Sequence, residues 1–283
     1  MPGNTEDHTP LPPVPMIFIL GNSHCGSTLL SFFLSSHPQI INLGEVKTRT
    51  WLKDRYCTCG HPVDQCQFYH GYFETFNDLK QKATLSMRNT SPLQFLWRKR
   101  IPMSPSPQSA MHSLYDSLQD RIHQQYPEAM YWIDSSKSIW MLNAWLSILP
   151  SDTIRIIWLR RNTKATVSSF VKRGKSFLSA WMSIRLNDRM TNKFLKANKI
   201  PFLEVRYDRF YEHWADEAKR LSDFLQVNIP ATYASHANHH VISGNEKTRT
   251  EFATHFNGLR KDEEWVNILR PYQKKLMAWF GGA

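Results

Sequence analysis

The chain has 283 residues, 41% of them hydrophobic, enough to bury a core in one large α/β domain or two small ones. Lysine plus arginine number 35 against 24 aspartate plus glutamate, a formal charge of +11 that points to anionic partners: a nucleic acid, an anionic membrane or a phosphorylated cofactor. No apolar run approaches the about 20 residues of a membrane-spanning helix, so a helical membrane protein is excluded.

Residues 1–15 hold five prolines and lack a basic region followed by an apolar core. A flexible lead-in is expected there, with no secretory signal and a cytoplasmic location. Residues 16–20 form an apolar, β-favouring run, residues 21–28 a glycine-bounded turn, and residues 29–34 an apolar helical pattern. His37-Pro38 stops that helix, because the residue before proline disfavours the α region. Residues 39–43 read as a second strand that delivers Gly44-Glu45 at its end.

Residues 46–108 contain Cys57, Cys59 and Cys66, a helical stretch near 72–83, and a basic, proline-rich loop from Trp97-Arg98-Lys99-Arg100 to Pro107. A helix over 109–126 follows, with Met111, Leu114, Leu118 and Ile122 in one apolar stripe. Tyr131-Trp132-Ile133 reads as a strand, Asp134-Ser135-Ser136-Lys137 as a loop, and residues 139–149 as a helix stopped by Pro150. Further strands are expected over 153–159 and 202–205, and helices from about 164, over 176–197 and over 214–225. This alternation predicts an α/β three-layer sandwich around a central, mainly parallel sheet. Ligands of such sheets sit at the carboxyl ends of the strands. The loops after Leu20, Leu43, Ile133 and Leu159 should therefore converge on one site.

Two stretches carry anion-binding chemistry. The 21–28 turn has the glycine spacing of a P-loop, G-x-x-x-x-G-K-[ST], but Ser27 stands where the lysine would be. Such a turn aims backbone N–H groups and a positive helix end at a phosphate or sulfate, without the usual grip on a γ-phosphate. Farther on, Arg161 ends a strand and Ser169 follows eight residues later. A guanidinium fork bonds phosphate oxygens bidentately and a hydroxyl adds a neutral donor.

These segments resemble the sulfotransferases that use 3′-phosphoadenosine 5′-phosphosulfate (PAPS). Gly21, His24, Cys25, Gly26, Ser27, Thr28, Leu29 and Leu30 fall on the family's 5′-phosphosulfate loop, G-x-x-[RK]-S-G-[ST]-T-L-L, with His24 at the arginine or lysine position. Leu159, Arg161 and Ser169 fall on its 3′-phosphate element, L-x-R-D-P-R-x-x-x-x-S, with Asn162 and Thr163 in place of Asp and Pro. Asp134-Ser135-Ser136-Lys137 is similar to the D-S-S-K loop of many bacterial members, and Arg206-Tyr207-Asp208-Arg209 with Phe224-Leu225 to their R-Y-E-D…F-L segment. The stretch from His239-His240 through Gly244-Asn245 to Arg249 resembles a C-terminal His…Gly-Asn…Arg element.

The resemblance implies a P-loop-like sulfotransferase fold over residues 16–283 as a single domain. Residues 46–108 would form an acceptor-side insertion or lid, and 230–260 a segment covering the cofactor. It implies transfer of a sulfuryl group from PAPS, as co-substrate, to a hydroxyl or amine, leaving adenosine 3′,5′-bisphosphate and requiring no metal. Asn22, Ser23, His24, Cys25, Gly26, Ser27 and Thr28 would bind the 5′ side, Arg161 and Ser169 the 3′-phosphate. Gly244, Asn245 and Arg249 would close over the cofactor, and His24 and Lys137 would meet leaving-group charge. Glu45 corresponds to the general base of the tyrosylprotein branch. The expected partner is a small-molecule acceptor such as a secondary metabolite, not nucleic acid or membrane, in a monomer or homodimer.

Two rival readings are a P-loop kinase or NTPase, which wants the Walker lysine and a Mg²⁺-binding acid, and a non-catalytic anion or nucleic-acid binder. The aromatic and basic residues between Leu93 and Arg100 suit the latter or an active-site lid. Cys57-x-Cys59-Gly60 with Cys66 resembles a C-x-C-G…C-x-F segment of some bacterial sulfotransferases. Structural metal, redox-labile thiols and plain packing are all open for it. The C-x-C spacing is tighter than the usual zinc spacing and only three thiols are present, so no metal is assigned.

Overall fold

Alternate residues of a strand face opposite ways, and in the central strands of this chain both sets are apolar. β1 (Met16–Gly21) is buried along its whole length. It pairs in parallel with β3 (Tyr131–Lys137) on one side and β4 (Ile154–Arg160) on the other. β2 (Ile40–Asn42) flanks β3, and β5 (Phe202–Arg206) flanks β4. Among the described residues the sheet is thus five parallel strands in the order β2-β3-β1-β4-β5. The computed structural model describes residues 11–46, 56–70, 92–96, 100–234, 240–249 and 264–279.

Met16, Phe18, Leu20, Trp132, Ile156 and Trp158 point to one face, beneath α2 (Pro105–Gln125), α3 (Ile139–Ile148) and α5 (Phe177–Ala197). Ile17, Ile19, Ile133, Ile157 and Val205 point to the other, under α1 (Ser27–Leu34), α6 (Tyr207–Glu212) and α7 (Trp214–Leu225). A third cluster joins α4 (Thr163–Val171) and α5 to α8 (Pro271–Trp279) through Val167, Trp181, Ile184 and Met277. The three-layer expectation is met. Among the described residues no helix is long and apolar enough to cross a membrane.

Several boundaries differ from the sequence reading. Asp134 to Lys137 is not a loop but the last part of β3. A polar run survives at the sheet centre because neighbouring elements satisfy it. Asp134 is fully buried, and its carboxylate accepts from the backbone N–H of Ser136 (2.9 Å) and Val46 (3.3 Å) and from Trp145 Nε1 (2.9 Å). The β1–β3 register shifts between Phe18 and Leu20, which brings Leu20 opposite Lys137. α2 begins at Pro105 rather than 109, since prolines at the start of a helix cost no intrahelical bond. Val14, expected within the flexible lead-in, is buried and exchanges backbone bonds with the Gln119 side chain, and residues 1–10 lie outside the described residues. The expected helix near 72–83 and residues 97–99 of the basic loop lie outside the described residues.

Candidate active site

The carboxyl ends of β1, β2, β3 and β4 bring together the turns after Gly21, Leu43 and Arg160 and, in place of the loop expected after Ile133, the last residues of β3. Gly26 is the residue before α1, with φ 96°, and an added Cβ would lie 2.4 Å from the Tyr207 ring. Only glycine allows both the left-handed turn and that approach. The first N–H groups of α1 have no intrahelical carbonyl to bond and point toward the turn. Asn22 is fixed from α5: its Nδ2 donates to Asp188 Oδ1 (2.7 Å) and its Oδ1 accepts from Asn187 Nδ2 (2.9 Å). Ser23 is exposed, and Ser27 is buried at the helix start. The Cys25 side chain turns into the apolar core, and burial raises its thiol pKa. Its contribution to the turn is therefore its backbone.

His24 takes a left-handed conformation (φ 65°), and its ring meets Phe170 edge-on at 5.1 Å. Burial, followed by the positive charges of Arg173, Lys137, Arg161 and Lys175, lowers its pKa to about 4. At neutral pH it is an uncharged imidazole, not the imidazolium that would mimic arginine. The same shift identifies four cations gathered around this turn. Arg161 donates to the His24 carbonyl (2.8 Å) and lies over the Tyr207 ring at 4.8 Å. Tyr207 thus packs between Gly26 and Arg161, a positioning role that the sequence signalled only through the stretch similar to the R-Y-E-D…F-L segment. Asn162 caps α4, its Oδ1 accepting from Lys164 N–H at 2.9 Å, which explains why it can replace aspartate there. Ser169 lies on α4 with its hydroxyl donating to the Ala165 carbonyl (3.1 Å), and Arg173, one turn on, bonds the Ser169 carbonyl (3.0 Å).

Glu45 and Lys137 form an ion pair, Lys137 Nζ donating to Glu45 Oε1. Lys137 ends β3 with φ 61°, the second left-handed non-glycine residue at this site. Such backbone costs about 1–3 kcal/mol and persists where surroundings enforce it. Here the enforcement comes from Asp134, which grips Val46 next to Glu45, and from Ser135 N–H bonded to the Gly44 carbonyl (2.7 Å). The sequence reading placed Asp134 in the D-S-S-K loop without giving it a role; its buried position and its hold on Val46 come from the fold.

The C-terminal segment reaches the turn through Thr28, whose Oγ1 accepts from Asn245 N–H (3.2 Å). A Cβ on Gly244 would lie 2.7 Å from that Oγ1, at φ 112°, so glycine is required for the approach. Arg249 is buried and donates to the carbonyls of Val241 (3.2 Å) and Tyr56 (3.4 Å), clamping this segment to the cysteine-bearing turn. Cys57, Cys59 and Cys66 meet a donor that the sequence did not connect to them, His240; the four ligand atoms lie within 4.8 Å of one another.

A glycine-bounded turn at the switch of a parallel sheet, with cations around it and a carboxylate–ammonium pair on the neighbouring strand ends, is the arrangement of a P-loop-like α/β fold. A sequence model described as "Sulfotransferase family" matches residues 15–231, and the chain belongs to that family. Among solved structures, it is similar to a sulfotransferase domain from the Synechococcus PCC 7002 olefin synthase, with 17% identity and a TM-score of 0.52 over 96% of each chain. It is likewise similar to a sulfotransferase domain from the curacin biosynthetic pathway, at 17% identity and TM-score 0.50, over 96% of this chain and 99% of that one. At such identity the likeness concerns the fold. No curated protein sequence matches the chain.

Proposed function

We propose that this chain transfers a sulfuryl group from PAPS to a hydroxyl or amine of a small biosynthetic molecule. The observation that carries this reading is the Glu45–Lys137 pair beside the 21–28 turn: a proton acceptor and a cation at the mouth of an anion site. The N–H groups at the start of α1 and the turn would hold the 5′-phosphosulfate, and Arg161 with Ser169 the 3′-phosphate. Glu45 takes the acceptor's proton as the nucleophilic oxygen or nitrogen bonds to sulfur. The sulfur–oxygen bond to the 5′-phosphate breaks, and its electron pair stays on that phosphate oxygen. Lys137 and the backbone donors meet the resulting charge, each well-placed donor contributing about 3–4 kcal/mol to the transition state. His24, uncharged at neutral pH, supplies one hydrogen bond rather than a full charge. The donor arrives activated, so this chemistry asks for no metal at the transfer site. That both solved relatives are domains of biosynthetic systems supports a small-molecule acceptor.

The test is transfer of labelled sulfate from PAPS to an acceptor panel, with calorimetry on adenosine 3′,5′-bisphosphate. The reading expects bisphosphate binding and transfer to at least one acceptor. ATP hydrolysis without bisphosphate binding, or steeply salt-dependent RNA binding without transfer, would overturn it.

A further inference from the structure

Cys57 and Cys59 lie on a tight turn, closed by the Cys57 N–H bonded to the His61 carbonyl (2.8 Å) and by Gly60 N–H bonded to the Cys57 carbonyl (3.0 Å), and Cys66 follows after a second turn, Gln65 N–H to the Pro62 carbonyl (2.9 Å). His240 arrives from the far end of the chain. Its backbone N–H bonds the Asn42 carbonyl at the end of β2 (3.0 Å), and its ring stacks on Phe68 at 5.1 Å. Its Nδ1 faces Cys66 Sγ at 3.2 Å and Cys57 Sγ at 3.7 Å, while Cys59 Sγ lies 3.6 Å from Cys66 Sγ. Nε2 is hydrogen-bonded to Tyr126 Oη at the end of α2.

The geometry points to a structural Zn²⁺ site with ligands Cys57, Cys59, Cys66 and His240. With Zn–S of about 2.3 Å and Zn–N of about 2.0 Å, tetrahedral ligands stand about 3.8 Å apart between sulfurs and about 3.5 Å between sulfur and nitrogen. The sulfur–nitrogen separations of 3.2 and 3.7 Å and the sulfur–sulfur separation of 3.6 Å lie within a few tenths of an ångström of these values, and all four ligand atoms fall within 4.8 Å of one another. Three soft thiolates and one imidazole suit zinc above oxygen-seeking cations. On binding, each thiol releases its proton to solvent and Nδ1 donates its lone pair. With Nδ1 on the metal, Nε2 keeps its proton and donates a hydrogen bond to Tyr126 Oη, the outer partner that a ligating histidine usually has. Four protein ligands leave no open position, so the site is structural.

Its place says what it holds. Thr58 and Val241 exchange two bonds: Thr58 N–H to the Val241 carbonyl (3.3 Å) and Val241 N–H to Thr58 Oγ1 (2.9 Å). Val241 packs on Gly44, and Ser243 Oγ donates to the Glu45 carbonyl (3.3 Å). A metal at this point would pin residues 240–245, and with them Glu45 and Thr28, to the cysteine turn and the end of β2. The site does not depend on the sulfuryl-transfer reading, and its test uses no substrate.

Full-length protein purified anaerobically should carry about one zinc per chain by elemental analysis, released by a thiol-reactive mercurial. Cobalt exchange should give an intense thiolate-to-metal charge-transfer band with tetrahedral ligand-field bands. Cys66→Ser should lose the metal. Because that variant can unfold, Tyr126→Phe provides a milder check, with zinc affinity falling about 10–100-fold in chelator competition. Folded wild-type protein with little zinc and no cobalt spectrum would overturn the proposal. So would iron in zinc's place, or a Cys59–Cys66 disulfide in the anaerobic protein.

Discussion

Two short turns of this chain carry cysteine, and the same side chain does opposite things in them. Cys25, in the 21–28 turn, points into the apolar cluster beneath α1, and burial keeps its thiol protonated. It fills space. In the 57–66 turn the thiols face one another and an imidazole. The Cys66 thiol is lowered first by the hydrogen bond from Cys57 and then by His240. The two turns also differ in what builds them. The first is assembled by neighbouring residues between a strand and a helix. The second is complete only when a residue 174 positions away joins it. Local sequence can make a phosphate cradle; it takes the tertiary fold to make this cluster.

The largest effect should separate the turns' roles most sharply. Glu45→Gln should lower turnover about 10²–10⁴-fold with bisphosphate affinity near wild type, measured by steady-state transfer and calorimetry; full activity would remove Glu45 as the base. Arg161→Ala should instead weaken bisphosphate binding by about 1.5–3 kcal/mol, the worth of a charged hydrogen bond, with zinc content unchanged. Trp145→Phe takes away one donor to the buried Asp134 carboxylate. Denaturant titration should show a loss of about 1–3 kcal/mol, and turnover should fall as Val46 and Glu45 loosen. Cys25→Ala should cost only about 1 kcal/mol of stability and leave metal content at the wild-type level, in contrast with Cys66→Ser. Metal loss in Cys25→Ala would erase the distinction between the turns.

The smallest effect is in pH dependence. The folded chain holds His24 at about 4 against an ordinary 6.5. Between these values the unfolded chain takes up a proton that the folded chain excludes, so stability falls as pH drops from about 6.5 toward 4. His24→Asn keeps a residue at ease with positive φ and should flatten that slope. The half-exposed position keeps the effect small. Parallel melting-temperature profiles for the two proteins would contradict it.

Much of the fold was legible because it is written locally. Apolar runs bounded by Gly, Pro and polar caps placed β1, β2, β4, β5, the start of β3 and the helices 139–149, 176–197 and 214–225 to within a residue or so. The anion turn was legible for the same reason: its glycine spacing is a backbone requirement. The β3 extension was not. Asp134 to Lys137 reads as a turn by composition, and only Val46, Trp145 and the β1 register shift keep it extended. The sequence equally could not say that His24 would be largely buried, with four cations nearby, and so lose its own charge.

What the amino-acid order alone determined, then, is the α/β alternation, the phosphate-type turn after β1, and the basic residue at the end of β4. Each depends on periodicity or backbone geometry within a few residues. What the tertiary structure decided is which distant groups meet: Glu45 with Lys137, Tyr207 with Arg161 and Gly26, Asn245 with Thr28, and His240 with three thiols. Those meetings arise from strand order and burial, which bring together residues whose separation along the chain carries no mark of their contact.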